Sequence, residues 1–216
     1  MQVTIYCMCP ILLHPSKKHL AYFVYQGEPQ LIFLSKRGVI KEILHKSYCL
    51  IDIMLSYYSK VTAVLIQLHQ AQATTDNHLL THTVQKLKSS LKKHYKCEIG
   101  YFWVREQLKA ESQHYHMLVM LNGHKCQQSA LVDKVVQEAW QSIHPDNFSF
   151  RVRNRIYRIN RTGNGHELRA LRMRLSYMAK KEGKTELRTY TNTYGFSRLK
   201  TKKHNMRSSN FKPHVP

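Results

Sequence analysis

Val61-Thr62-Ala63-Val64-Leu65-Ile66-Gln67-Leu68 is a nearly continuous run of β-prone, mostly apolar residues. A strand exposed on one face alternates apolar with polar, whereas a strand covered on both faces reads as this run does. A chain holding such a strand must build layers on both sides of a sheet. The flanking patterns supply them. Asp76 or Asn77 can cap a helix that runs to about Tyr95, with Leu80, Val84, Leu87 and Leu91 on one stripe. Glu98–Gln107 is aromatic and β-branched, so a strand. A polar link, Leu108–Ser112, joins it to a second apolar strand ended by Asn122-Gly123, and the two are expected to pair antiparallel. A helix is predicted from about Ser129 to Ser142, with Leu131, Val135, Ala139 and Trp140 facing in. Phe148–Arg161 alternates in part and then turns basic, and His166–Lys181 has strong helix propensity up to Gly183. The order is strand, helix, strand, strand, helix, candidate strand, helix. It predicts an α+β chain of the ferredoxin-like class, with an antiparallel sheet and helices packed on it.

Ahead of this pattern, residues 1–57 read as an N-terminal extension of mixed character. Leu20–Tyr25 and Leu31–Leu34 are candidate strands around the Gln26-Gly27-Glu28-Pro29 turn, and Val39–Tyr58 is a candidate helix. Residues 58–200 form the main domain. Residues 201–216 form a basic tail whose polar composition predicts disorder. No window approaches the roughly 18 apolar residues that span a bilayer, and the first ten residues lack the basic region of a signal peptide. The five cysteines are odd in number and dispersed, which reads as free thiols in a reducing compartment, the cytoplasm.

The net charge is +21 and is unevenly placed. Residues 1–150 carry +6, and residues 151–216 carry +15. A single-sign field of that density implies a polyanionic partner, with nucleic acid foremost. Arg151, Arg153, Arg155 and Arg158 interleave with Tyr157, which suits a single-strand channel of phosphate contacts and base stacking. Tyr190, Tyr194 and Phe196 beside Arg198 offer the same combination. A half-buried strand with a charged outer face would read alike.

Two motifs carry chemistry. In Gln113-His114-Tyr115-His116-Met117-Leu118-Val119-Met120-Leu121, His114 and His116 fall on one face of a strand with Tyr115 on the other. Paired imidazoles there make a metal clamp or, equally, a hydrogen-bonded structural pair. In the helix 166–181, Leu168, Leu171, Leu175 and Met178 form the apolar stripe. Tyr177 lies off that stripe among Arg174, Lys180 and Lys181, where a phenolate or phosphate would be stabilised. A surface tyrosine packed beside cationic stems would also sit so. Tyr57-x-x-Lys60 repeats the spacing but precedes the first core strand.

Taken together, an apolar strand ending near His69, His114-Tyr115-His116 with apolar residues after it, and Tyr177-x-x-Lys180 on a later helix resemble the HUH endonuclease superfamily (His, hydrophobe, His) with a single tyrosine nucleophile. Trp103-Val104-Arg105-Glu106-Gln107 ahead of His-Tyr-His-Met-Leu-Val-Met-Leu-Asn is similar to the replication initiators of filamentous phages (inoviruses) and related prophage elements. The resemblance covers about residues 60–200, and Tyr115 is bulkier and more polar than the usual middle residue. It implies the HUH fold, with an RRM-like sheet. It implies an enzyme that nicks single-stranded DNA at an origin to start rolling-circle replication. His114 and His116 would bind Mg²⁺ or Mn²⁺, polarising the scissile phosphate. Tyr177 would attack it to give a 5′-phosphotyrosine and a free 3′-OH. Lys180 would position the phosphate or stabilise the phenolate, since a free phenol ionises near pH 10.

The site needs a third ligand. Glu106 suits it, because antiparallel pairing would bring it beside His114 and a carboxylate suits both metals. Glu111 is the competitor, and an ion pair with Arg105 or Lys109 is the other use of Glu106. Arg174, Lys181 and Arg198 join the arginines of 151–158 as candidate DNA contacts. Implied partners are origin single-stranded DNA, a host helicase and polymerase, and a second copy of the chain as one way to close the circle. No membrane partner is expected. A single-tyrosine transposase or a relaxase would share the chemistry. A non-catalytic nucleic-acid-binding protein would use the same basic surface without needing the Tyr177 hydroxyl.

Overall fold

Gln26 and Gly27 both adopt positive φ, 52° and 84°, which is the backbone of a type I′ hairpin turn. The turn is therefore two residues long rather than four. Glu28 and Pro29 already belong to the returning strand, with Pro29 on an edge where its missing N–H costs nothing. The computed structural model describes residues 9–107, 112–184 and 192–202. Its elements are β1 (Ile11–Leu13), β2 (Leu20–Tyr25), β3 (Glu28–Phe33), α1 (Lys41–Tyr57), β4 (Lys60–His69), α2 (His78–Tyr95), β5 (Gly100–Glu106), β6 (His114–Asn122), α3 (Ala130–Gln141), β7 (Phe148–Phe150), β8 (Ile156–Asn160), α4 (His166–Met178) and β9 (Tyr194–Phe196). The chain is a mixed α+β fold with antiparallel sheets and four helices among the described residues.

The larger sheet has the order β7-β4-β6-β5-β9, with β8 also pairing β4 beyond β7. Every pairing in it is antiparallel. The continuous apolar run is β4, and it lies at the centre, paired on both edges. Period-2 alternation divides its side chains between two cores. Val61, Ala63 and Leu65 join Leu118, Met120, Phe102 and Val104 under α1 and α4. Val64, Ile66 and Leu68 join Tyr115, Met117, Val119 and Leu121 under α2 and α3.

The helices seat as their stripes require, with one shift of phase. Leu80, Val84, Leu87 and Leu91 are all buried on α2. Asn77 stands at the N-cap of that helix without a side-chain capping bond, and the Asp76 carboxylate, one residue earlier, accepts from the His78 N–H at 2.9 Å. On α3 the buried set is Val132, Val136, Ala139 and Trp140, so Val132 and Val136 replace the expected Leu131 and Val135. The cause is Asp133, which is buried yet paired bidentately with Arg155 at 2.6 Å. That pair lets a carboxylate take a place next to the core.

Residues 9–57 do not stand apart. The smaller sheet, order β1-β2-β3, packs through β3 against α4. Ala21, Phe23, Ile32, Leu44, Ile51 and Met54 share one continuous core with Leu118, Met120 and Leu175. The boundary expected at residue 57 therefore has no break in packing. The Phe33 N–H donates to the Ser176 Oγ at 2.7 Å, the Ile40 N–H to the Ala179 carbonyl at 2.7 Å, and the Lys181 N–H to the Gly38 carbonyl at 3.0 Å. Cys9, Cys49, Cys97 and Cys126 are free thiols, and Cys7 lies outside the described residues. Among the described residues no helix is long and apolar enough to cross a membrane. Of the expected disordered tail, residues 203–216 lie outside the described residues.

Candidate metal centre and tyrosine cleft

Register does the first work. Glu106 on β5 is the direct partner of His114 on β6, and His114 is the partner of His69 on β4. Two residues along, Val104, His116 and Gln67 are aligned in the same way. Alternation turns both histidines and Glu106 to the α4 side of the sheet, since Leu118, Met120 and Val104 are buried there. Glu106, His114 and His116 each offer one ligand atom, and these atoms lie within 4.8 Å of one another. The group can hold a metal ion. Tyr115 points to the opposite core, where its ring packs edge-on against Trp103 and Trp140.

The carboxylate is oriented by its partners. Glu106 Oε1 accepts from Lys184 Nζ at 2.6 Å, both side chains being 1 % exposed. That leaves Oε2 facing His114 Nε2 at 3.5 Å, His116 Nε2 at 3.3 Å and Lys180 Nζ at 3.4 Å. Burial alone would raise the Glu106 pKa, but hydrogen bonds from His114 and His116 and the Lys184 charge hold it well below the carboxylate range. Burial lowers the pKa of His116, which favours the neutral ring that a metal ion requires. Gln67 Nε2 lies 3.1 Å from His116 Nδ1 and fixes the ring plane.

Such outer contacts tune metal affinity. Gln67→Leu is expected to weaken Mn²⁺ binding about 10- to 100-fold, read by isothermal titration, with the thermal midpoint of the metal-free protein nearly unchanged.

Tyr177 projects from the last turn of α4, 41 % exposed, its ring 5.5 Å from that of Phe33. Lys180 lies just past the helix end, yet its ammonium is 3.3 Å from the Tyr177 hydroxyl and 4.3 Å from the ring centroid. Burial would lower the Lys180 pKa, but Glu106 and Tyr177 reverse this and raise it, so the group stays cationic. A single ammonium thus joins the phenol to the carboxylate of the histidine cluster. A cleft lined by Gln67, His116, Val152, Arg174, Tyr177 and Met178 brings Tyr177 and the cluster residue His116 to one opening.

Of the two alternative partners for Glu106, Arg105 bonds elsewhere. The Arg105 side chain is turned to the other core, donating to the Thr74 carbonyl at 2.6 Å and the Asp76 carbonyl at 3.2 Å. Lys109 and the competing ligand Glu111 lie outside the described residues. Lys184 and Gln67 carry no motif, and only the fold brings them in.

The candidate DNA contacts divide. Arg174 lines the cleft, Lys181 is exposed beside Lys180, and Arg151 and Arg153 are exposed on either side of the cleft residue Val152. Arg155 is committed to Asp133 and Ser129 and is only 12 % exposed, so it is a structural arginine. Arg158 lies opposite Thr62, toward the far end of β4 from His69, and donates to the Gln127 carbonyl. Arg198 stands near Tyr101, at the opposite end of β5 from Glu106. Tyr194 and Phe196 stack on Phe102, and Tyr190 lies outside the described residues.

This split gives contrasting expectations. Arg155→Ala should cost about 1.5–3 kcal/mol in urea unfolding, because buried Asp133 loses its bidentate partner and keeps only the Ser129 hydroxyl at 3.2 Å and the exposed Arg151 at 3.5 Å. Arg153→Ala should leave stability within about 0.5 kcal/mol, and should reduce the salt slope measured with a single-stranded oligonucleotide probe by about 0.7.

No curated protein and no solved structure matches the chain. A family model described as the YagK/YfjJ C-terminal domain matches residues 26–211. The match takes in β3 and α1 as well as the larger sheet and the cleft. The chain therefore belongs to the YagK/YfjJ C-terminal domain family, a family of prophage-associated proteins.

Proposed function

We propose that this chain nicks and rejoins single-stranded DNA through a tyrosine, as an HUH-type replication initiator does. The observation that carries the reading is the Lys180 ammonium bridging the Tyr177 hydroxyl to the carboxylate of the Glu106–His114–His116 cluster. The β-α-β-β-α order from β4 to α3, closed by β7 and β8 which both pair with β4, with β4 and β6 as inner strands, supports a ferredoxin-like HUH domain.

The carboxylate is a hard ligand that suits Mg²⁺ or Mn²⁺, while the two imidazoles also suit softer divalent ions such as Zn²⁺ and Fe²⁺. When bound, the ion would polarise the scissile phosphate and stabilise charge on the leaving oxygen. Two histidines and a carboxylate also hold Fe(II) in oxygenases. Here a phenol and cations beside the cluster favour a phosphodiester over an apolar substrate.

The chain's own residues perform the remaining work. Arg174, Lys181, Arg151 and Arg153 draw in the phosphate backbone. Lys180 stabilises the Tyr177 phenolate as its proton leaves to solvent. The phenolate oxygen attacks phosphorus, a Tyr177 O–P bond forms, and the P–O3′ bond breaks. The 3′-oxygen takes up a proton, leaving a 3′-OH that a polymerase can extend. The phosphotyrosine retains the energy of the broken link, so rejoining needs no nucleotide. Closing the circle, with or without a second copy, host helicase and polymerase would follow from this chemistry.

The test is to incubate the full chain with Mn²⁺ and single-stranded oligonucleotides tiled across the replicon that encodes it, then run denaturing gels. A covalent protein–oligonucleotide species that EDTA prevents supports the reading. Free nicked DNA without adduct, or binding with no cleavage under any divalent ion, rejects it.

A further inference from the structure

Two large aromatic side chains stand exposed where a soluble domain would normally hide them. Phe148 and Phe150 on β7 are 50 % and 53 % exposed. Alternate residues of a strand share a face. Their register partners on β4 are His69 and Gln67, so that face is the one bearing the metal cluster. Two cross-strand rows result. Phe148, His69, His114 and Glu106 form the first, and Phe150, Gln67, His116 and Val104 the second. In the first row the rings are already stacked. Phe148 and His69 lie 4.7 Å apart at 2°, and His69 and His114 5.6 Å apart at 14°. With strands about 4.8 Å apart, Phe148 is about 10 Å from the His114 strand position.

The surroundings name the occupant. Arg151 and Arg153 follow Phe150 directly and are exposed, and between them Val152 lines the cleft to Tyr177. Flat aromatic faces beside cations suit unpaired bases on a phosphate backbone, because every base offers a π-face. A duplex keeps its bases stacked on each other and presents none.

We propose that Phe148 and Phe150 form a base-stacking platform for single-stranded DNA, engaging bases next to the phosphate held at the Glu106–His114–His116 cluster. This rests on the polynucleotide reading of that cluster. His69 is a positioning residue that keeps Phe148 flat against the row leading to His114.

The test measures binding of the full chain to fluorescein-labelled oligo(dT) and to an abasic strand of equal length, by anisotropy with Mg²⁺. F148A/F150A should bind oligo(dT) about 10-fold or more weakly while binding the abasic strand as wild type does. F148W/F150W should retain the preference for oligo(dT), and F148L/F150L, apolar but non-aromatic, should lose it. Unchanged circular dichroism melts verify that each variant folds. Equal oligo(dT) binding by wild type and F148A/F150A overturns the platform, as does an equal loss on both strands. A shift from dimer to monomer in light scattering with DNA binding intact would instead make β7 a self-association edge. If wild type binds neither strand, the polynucleotide reading falls too. If wild type binds both and forms the covalent adduct while the variants lose nothing, the platform alone falls.

Discussion

Tyr177→Phe should abolish the covalent protein–DNA adduct and strand cleavage while leaving single-stranded DNA binding within about 2-fold. The substitution removes one oxygen and little else. The phenyl ring keeps the face on which the Lys180 ammonium rests, 4.3 Å from the centroid, and keeps the contact with Phe33. At 41 % exposure the side chain contributes little to the core, so stability should move by less than about 0.5 kcal/mol. Among the described residues no other hydroxyl lines the cleft, since Leu65, Ile66, Gln67, His116, Val152, Arg174 and Met178 carry none. Adduct formation by the variant would remove Tyr177 as the nucleophile and send the search to another tyrosine. A variant that neither binds nor folds would contradict the modest structural role assigned here.

The second large effect falls on Glu106. Its carboxylate serves Lys184 through one oxygen and the histidines and Lys180 through the other. Glu106→Ala leaves the Lys184 ammonium, 1 % exposed, without its carboxylate. Breaking a buried pair from one side costs about 3–5 kcal/mol, so urea unfolding should shift by that amount. Metal binding should be lost in the same variant. These two losses can be separated. Glu106→Leu combined with Lys184→Leu removes both charges and should recover most of the stability, because an apolar replacement of a buried pair is often neutral. It should not recover Mn²⁺ binding. Recovery of both would mean that the histidines bind metal without the carboxylate.

Much of this site is written in short-range pattern. Period-2 alternation is enough to put His114 and His116 on one face, and helical geometry is enough to put Tyr177 off the leucine stripe of α4. Pairing β5 with β6 through a short link also made Glu106 the reasonable partner of His114. What the pattern could not carry is anything that depends on distant packing. Lys184 follows a glycine in a polar segment, and nothing local says that it is buried 78 residues away from Glu106 in sequence. Gln67 reads as one polar interruption in an apolar run, and its meaning comes only from lying opposite His116. The phase of α3 was ambiguous because Leu131, Val132, Val135 and Val136 are all apolar, and only the Asp133–Arg155 pair decides which face turns inward. That same pair withdraws Arg155 from a row of arginines that composition alone treats as equivalent.

The seams between the first forty residues and the end of α4 set an order in time. Phe33, Gly38 and Ile40 are bonded to Ser176, Lys181 and Ala179, so partners on one side are synthesised long before those on the other. At ribosomal rates of about 5–20 residues per second, the small sheet waits on the order of 10 s for the helix that covers it. During that interval the side of β2 and β3 that bears Phe23 and Ile32 is open to water, with a short unpaired edge. Tyr177 is consequently set in place only after the small sheet has waited for α4, and a chain released before that point would lack this hydroxyl while leaving the Phe23 and Ile32 face uncovered by α4.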